Sequence, residues 1–373
     1  MAELDTSIAF TDEQAMLLET AVAFCREKSP IRSVRNLLLS DTGFDRAVWD
    51  EMVALGWSGI AIPARHGGSG LSIAEVATIA EPMGRHLLAS PFASTQLCIQ
   101  GLLSGGGAAL QASALPRIAQ GAIATVALFE GEGDWDLCHI TASGTRRGNA
   151  VILDGGKTLV TDAGDAEFIL VSVCVDGAPA LALLDPVPTG RLRPEIVIDE
   201  TRRSSALDLT GLEIPAASLI TGMAAQAALS AIRNAALLLA TAEAAGGIAG
   251  VLDVTVDYLN TRSTFGRKIG SYQSLKHTCA EILVGLERTR SHLYHAATLC
   301  AGNRDAEIAL RMAKAEAGDA FVHAGDRAVQ FHGGFGFTYE CDAQLFLRRA
   351  LWLQYSFGDA QHQRRKLADL LLS

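Results

Sequence analysis

Near the end of the chain, residues 330–349 read QFHGGFGFTYECDAQLFLRR. Gly333, Gly334 and Gly336 place three residues without a Cβ in four positions. Backbone there can come very close to a phosphate or a packed helix. Gln330 and His332 stand before the glycines, Glu340 and the Arg348-Arg349 pair after them. The same run would equally serve as a tight loop between two helices. A second stretch, residues 258–277, reads YLNTRSTFGRKIGSYQSLKH. There a helix ends at R-x-x-F-G, a short basic loop follows, and a new helix opens at Ser271. Arg262 carries a planar fork of donors suited to pyrophosphate oxygens. As a cation closing a helix it equally suits the negative end of the dipole. Gln273 and Gln330 supply amide donors. His277 and His332 read as buried, hydrogen-bonded histidines rather than catalytic ones.

Together the two stretches resemble the acyl-CoA dehydrogenase family of flavoproteins. Its signature pair is R-x-x-F-G with a following aromatic-Gln, then Q-x-x-G-G-x-G near the C-terminus. The resemblance covers nearly the whole chain. It implies a mainly α fold with a small β-domain: an N-terminal helical domain (1–120), a middle β-barrel or sandwich (121–222) and a C-terminal four-helix bundle (223–373). It implies FAD as cofactor and α,β-dehydrogenation of an acyl-CoA thioester, in which a carboxylate removes the α-proton while a hydride passes to the flavin. It further implies that Arg262, Phe265, Gln273, Gln330, Gly333 and Gly334 reach across a dimer interface, to the adenosine diphosphate part of a neighbouring subunit's flavin.

The chain departs from the family at the base. Counting without gaps from the two motifs, the family's glutamate positions fall on Phe357 and Ala236. Neither side chain takes a proton, and a missing general base costs a factor of roughly 10²–10⁴. Two acids stand near enough to be relocated bases. Asp359 lies two residues past Phe357, and Glu243 lies on the helical face of Ala236, about 10 Å along the axis. Glu340 matches a structural glutamate of the glycine motif. Two flavin-covering motifs also differ. Where the family has T-E-P-x-x-G-S-D, residues 127–134 read ALFEGEGD; where it has W-I-T-N, residues 159–162 read LVTD. The first motif loses its hydroxyls, and a second Glu there would repel a pyrophosphate; the second motif keeps Thr161, but Leu159 replaces an indole.

This pattern resembles the non-catalytic subunit of the heteromeric acyl-CoA dehydrogenases of actinobacterial sterol side-chain degradation. The partner implied is a catalytic subunit, in a heterotetramer with two copies of each chain. The implied substrate is a bulky steroid-type acyl-CoA, and the implied electron acceptor is electron-transfer flavoprotein. Two other readings stay open: a self-sufficient homomeric dehydrogenase with a relocated carboxylate, and a flavin-free scaffold on the same fold.

The elements that must position these residues follow from texture. The 373 residues are 49% hydrophobic and rich in Ala and Leu, which suits a helical protein with a large core. A net charge of −10 argues against nucleic acid. Seven cysteines are scattered without C-x-x-C or Cys/His ligand spacing, so no metal is expected and buried thiols in a reducing compartment are. The opening MAELDTS has no basic or apolar leader, and the apolar stretch after Ala224 is broken by Arg233, Asn234 and Glu243. No membrane segment is expected, and the location implied is the cytoplasm.

Thr11 caps a first helix, and helices are expected over 45–55 and 73–84, with Gly56–Leu71 an interhelical loop. From Thr125 to Leu219 short β-branched runs mark strands, among them 150–153, 168–173, 181–184 and 196–198. Helices then run over 223–262, 272–301, 304–331 and 341–370, with a turn at Gly302-Asn303. Gly246, Gly247 and Gly250 each cost a helix about 1 kcal/mol against Ala; close helix packing is the expected reason.

Overall fold

A computed structural model describes residues 11–131, 135–137, 139–299 and 304–372. In chain order come helices α1 (Asp12–Lys28), α2 (Ile31–Leu37), α3 (Arg46–Ala54), α4 (Ile73–Arg85), α5 (Phe92–Gly105) and α6 (Ala108–Ala119). Ten strands follow: β1 (Ala124–Ala127), β2 (Ser143–Arg147), β3 (Ala150–Asp154), β4 (Gly156–Thr161), β5 (Phe168–Val175), β6 (Ala178–Leu184), β7 (Leu192–Glu195), β8 (Ser204–Asp208), β9 (Leu212–Pro215) and β10 (Leu219–Thr221). The chain closes with α7 (Gly222–Thr261), the short strands β11 (Ser263–Thr264) and β12 (Arg267–Lys268), then α8 (Gln273–Thr298), α9 (Arg304–His332), α10 (Ala343–Tyr355) and α11 (Ala360–Leu372). It is mainly helical with one β region in the middle, as expected. The expected turn at Gly302-Asn303 lies outside the described residues.

Two compact units divide these elements. The helical unit takes residues 1–31, 73–88 and 237–373; the sheet unit takes 32–72 and 89–236. In the helical unit, Thr11 and Gln14 cap α1 reciprocally, each side chain bonding the other's backbone N–H. α4 and α7 meet backbone to backbone. A Cβ at Gly246 would stand 1.8 Å from the Glu81 carbonyl oxygen, and one at Gly84 would stand 2.0 Å from that of Glu243. At Gly247 it would meet the Phe321 ring at 2.2 Å. Close packing therefore explains these glycines, as read from the sequence. An 18-residue window of α7 has a mean hydropathy of 1.7, yet 94% of it is buried inside the protein, as in the central helix of a bundle. The expected helix over 341–370 is two helices, α10 and α11, parted by a turn at Ser356–Asp359.

In the sheet unit one sheet runs β10-β6-β5-β2-β3-β9, with β1 also paired to β5, and a second runs β4-β8-β7. β5 is buried at seven of its eight positions, so its unbroken FILVSVCV suits a central strand. The expected strand at Ile196–Ile198 does not form. β7 stops at Glu195, and Ile196 stands wholly in solvent. Gly56–Leu71 is an interhelical loop with one short 3₁₀ turn at Ala64–His66. Arg203 fixes the loop after α2, its guanidinium donating to the carbonyls of Leu37, Leu38 and Ser40. α2, α5 and α6 had no expectation attached. α5 is buried almost all round, so it lacks the polar face that marks a helix in sequence.

Candidate functional site

At one end of the bundle three segments converge. α7 stops at Thr261, and the Arg262 N–H still bonds the Tyr258 carbonyl at 2.9 Å. β11 and β12 then pair antiparallel, Thr264 opposite Arg267, so Phe265-Gly266 is a two-residue turn. Its φ angles are 55° and 77°, positive at both central positions, as a type I′ hairpin requires. Glycine adopts that conformation freely; a phenylalanine does not. Phe265 is 93% exposed, so no packing within the chain holds it there. The hairpin is tied down by Lys268 Nζ donating to the Thr261 carbonyl at 2.7 Å, and by the Arg267 guanidinium lying 3.9 Å over the Tyr272 ring. α8 begins immediately, at Gln273.

The glycine run joins this end through a ring stack. Tyr258, one turn before the end of α7, lies 4.1 Å from His332 at the end of α9. His332 is buried and its Nδ1 meets the Ala328 carbonyl at 2.7 Å, as read from the sequence. His277 differs: it stands exposed on the first turns of α8, on a face where Gln273, Ser274, Ala280 and Glu281 are exposed too. The three glycines do three things. Gly333 takes φ 62°. Gly334 has open space where a Cβ would go, while at Gly336 a Cβ would sit 2.1 Å from the Val329 carbonyl.

Arg262, Phe265, Gln273, Gln330, Gly333 and Gly334 therefore all lie at this end, and all are exposed. Among the described residues no partner takes the guanidinium of Arg262 or the amides of Gln273 and Gln330. Donors without partners, open glycine backbone and a projecting ring suit a phosphate-bearing nucleotide. Three residues went unremarked in the sequence: Phe335, Phe337 and Tyr339 are also exposed here, with Arg348 over the Tyr339 ring at 5.7 Å. Their alternation with small residues in F-G-F-T-Y was the available signal.

The two positions read as base slots hold no acid. Ala236 is buried within α7. Phe357 sits in the turn between α10 and α11 at φ 57°, followed by Gly358 at 101°. The turn is held from outside itself. Lys314 of α9, fully buried, donates to the carbonyls of Gln354 and Gly358, each at 3.0 Å. Gln363 of α11 donates to the Phe357 carbonyl at 2.7 Å. Burial pushes the Lys314 ammonium down to about 7, against the opposing pull of Asp359 and Asp319. Both nearby acids have work of their own. Asp359 caps α11, accepting the His362 N–H at 2.8 Å. Glu243 forms a buried ion pair with Arg349.

In the sheet unit the altered motifs are tied into the chain itself. Glu130 accepts from Lys157 Nζ at 2.6 Å, from the Thr141 hydroxyl, and from the N–H groups of Thr141 and Ala142 at 2.9 and 3.1 Å. Burial alone would raise its carboxyl, but these donors outweigh it and bring it down to about 2. The charge of Glu130 is thus paired within the chain with that of Lys157. Residues 132–134 of that motif lie outside the described residues. Leu159 takes φ 54° in a bulge of β4, and Asp162 accepts the Ser94 hydroxyl at 2.6 Å. Among the described residues no group of three His, Cys, Asp or Glu is placed to hold a metal ion. Of the cysteines described, Cys25, Cys98 and Cys341 are buried, while Cys174 and Cys279 are partly exposed.

Two family models match the chain: acyl-CoA dehydrogenase, N-terminal domain, over residues 11–122, and acyl-CoA dehydrogenase, C-terminal domain, over residues 225–372. Acyl-CoA dehydrogenase IpdE2 of Mycolicibacterium smegmatis is 27% identical over 358 residues, covering 96% of this chain and 98% of that protein. Two solved structures share the fold. The ChsE4–ChsE5 complex from Mycobacterium tuberculosis matches with a TM-score of 0.89 at 23% identity, covering 99% of each chain. A variant of the Tcur3481–Tcur3483 steroid ACAD matches with a TM-score of 0.86 at 24% identity, covering 97% of this chain and 98% of the other.

Proposed function

The chain belongs to the acyl-CoA dehydrogenase family, and we propose that it is the partner subunit of a heteromeric FAD-dependent acyl-CoA dehydrogenase. It carries no proton-abstracting base of its own and completes the flavin site of a catalytic subunit. FAD supplies the hydride acceptor in that reaction. What this chain contributes is binding. Arg262 offers its guanidinium to the pyrophosphate, Gln273 and Gln330 their amides, Gly333 and Gly334 their open backbone, and Phe265 a ring against the nucleotide.

One observation carries the reading. The turn that would present a base presents Phe357, and the two acids able to replace it are spent: Glu243 on Arg349 and Asp359 on the start of α11. The same observation weighs against a self-sufficient enzyme with a moved carboxylate. The exposed, unpartnered donors of the bundle end weigh against a flavin-free scaffold. The substrate proposed is a bulky acyl-CoA thioester of the steroid side-chain type, in a cytoplasmic heterotetramer that passes electrons to electron-transfer flavoprotein. A polycyclic acyl group needs room, and a pair with one working site in place of two leaves it.

The test is a spectrum. Purified alone, the chain is expected to be colourless and without activity on acyl-CoA; co-expressed with a neighbouring dehydrogenase gene, it yields a yellow, active complex. A lone chain that is stoichiometrically yellow and oxidises acyl-CoA rejects the proposal.

A further inference from the structure

Between Lys157 and Val160 the register of β4 against β8 shifts, and the bulge turns its donors out of the ladder. They do not stay free. Glu195, the last residue of β7, accepts from the Thr158 hydroxyl, from the Leu159 N–H at 2.8 Å and from the Ser204 hydroxyl at 3.1 Å. One residue earlier, Lys157 donates to Glu130 at 2.6 Å and to the Ser172 hydroxyl at 2.9 Å. Just past the strand, Asp162 takes the Ser94 hydroxyl. Three carboxylates of the chain are thus fixed along the six positions 157–162. A flavin ring presents carbonyl oxygens and ring nitrogens that accept hydrogen bonds, and its pyrophosphate is anionic, so both ends of the cofactor need donors. The donors of Lys157, Thr158 and Leu159 are thus committed; among the described residues the Thr161 hydroxyl is left without a partner, and the carboxylates of Glu195 and Asp162 add acceptors and negative charge to the segment.

We propose that this chain's own flavin-facing segment is occupied by its own carboxylates, and that Glu195 is the residue that keeps a flavin out. The proposal rests on the family reading for which segment would face a flavin; it adds the residue that closes it. Glu195 holds the bulge in the conformation that leaves Leu159 at positive φ, 42% exposed. It fills with one carboxylate the set of donors that a ring carbonyl would otherwise take. Nothing in the sequence marks Glu195, which lies 36 residues from the Leu159 N–H it holds.

FMN is the probe, because it carries the ring and one phosphate and lacks the adenosine part offered to the bundle end. The full-length chain, alone, is titrated with FMN and followed by flavin fluorescence. The wild-type chain is expected to show no saturable binding. Glu195→Ala, which removes both acceptor oxygens, is expected to gain saturable binding at least about tenfold tighter than the limit set by wild type, which is about 1.4 kcal/mol; Glu195→Gln, whose amide oxygen can still take the Leu159 N–H, is expected to gain less. Hydrogen exchange at the Leu159 amide confirms in the same samples that the donor has been released. A wild-type chain that binds FMN one-to-one overturns the proposal. So do variants whose Leu159 amide exchanges freely but whose FMN binding is unchanged. These outcomes are separable from failure of the subunit reading. That reading falls if Arg262→Ala leaves the co-expressed complex with its full flavin content, a result that does not touch Glu195.

Discussion

The bundle end and the β4 bulge are built from similar parts and use them oppositely. Each has a residue with a side chain at positive φ, Phe265 at one and Leu159 at the other. Each turns donors out of regular secondary structure. At the bulge the chain consumes them, through Glu195 and Glu130. At the bundle end it leaves them standing in water, with an aromatic ring projecting beside them. Strain that is answered inside the chain belongs to its own stability; strain left unanswered points to something outside it. The difference therefore separates what this protein needs in order to fold from what it holds ready for another body.

Removing an answering charge should have the largest effect. Glu130→Gln leaves Lys157 buried without its counter-ion, and Glu243→Gln does the same to Arg349. Each should cost roughly 3–5 kcal/mol of unfolding free energy in denaturant melts. A loss below about 1 kcal/mol at Glu130 would break the comparison, because the bulge would then not depend on its internal acids. The wild-type contribution of Glu130 is fully in place above its ordinary carboxyl range and is lost progressively as pH falls from there through about 2.

Lys314 gives the next largest effect, with a direction in pH. Its folded value is about 7 against an ordinary 10.5. Between those limits the unfolded chain holds a proton that the folded chain does not, so stability should rise with pH across that window, by a few kcal/mol in order of magnitude. Lys314→Met should flatten this slope. An unchanged slope would remove the buried lysine as its source.

Arg262→Ala sharpens the other side. It should lower the partner's flavin affinity by roughly 1.5–3 kcal/mol, the worth of hydrogen bonds to a charged group. The lone chain's melting should stay within about 0.5 kcal/mol of wild type. Phe265→Gly should do two opposite things. It should stabilise the lone chain by about 1 kcal/mol, by relieving positive φ, and it should weaken flavin retention in the complex. The smallest effect is expected from Phe357→Glu. It restores a carboxylate on a prepared turn, yet the lone chain should show no turnover, because Glu195 still closes its own flavin-facing segment. Turnover in that single variant would break the contrast between the two regions.

Much of this was legible in sequence because it is local. R-x-x-F-G and the glycine run fix backbone over a few residues, and they locate the bundle end without any knowledge of packing. That neither counted position holds an acid was legible because Phe357 and Ala236 stand at countable distances from those motifs. The turn that splits 341–370 was harder: its cause is Lys314, which lies 44 residues from the Gly358 carbonyl it holds. Glu195 was invisible for the same reason. As one acid among 41 it has no pattern, and its role exists only once β7, β8 and β4 lie side by side. Ile196–Ile198 misled because β-branched residues suit a strand, while a strand also needs a neighbour to pair with. The pairing of Glu130 with Lys157 was equally invisible, since only the fold brings the two together.

Phe265, Phe335, Phe337 and Tyr339 stand in solvent at a single pole of the helical unit. Hydrophobic surface gathered in this way makes orphan copies sticky. On the proposed partner-subunit reading, synthesis of this polypeptide would have to keep step with that of the chain covering the pole, and a surplus would end in aggregates or in the hands of proteases. Gene order and shared transcription would serve such a chain as directly as any contact within it.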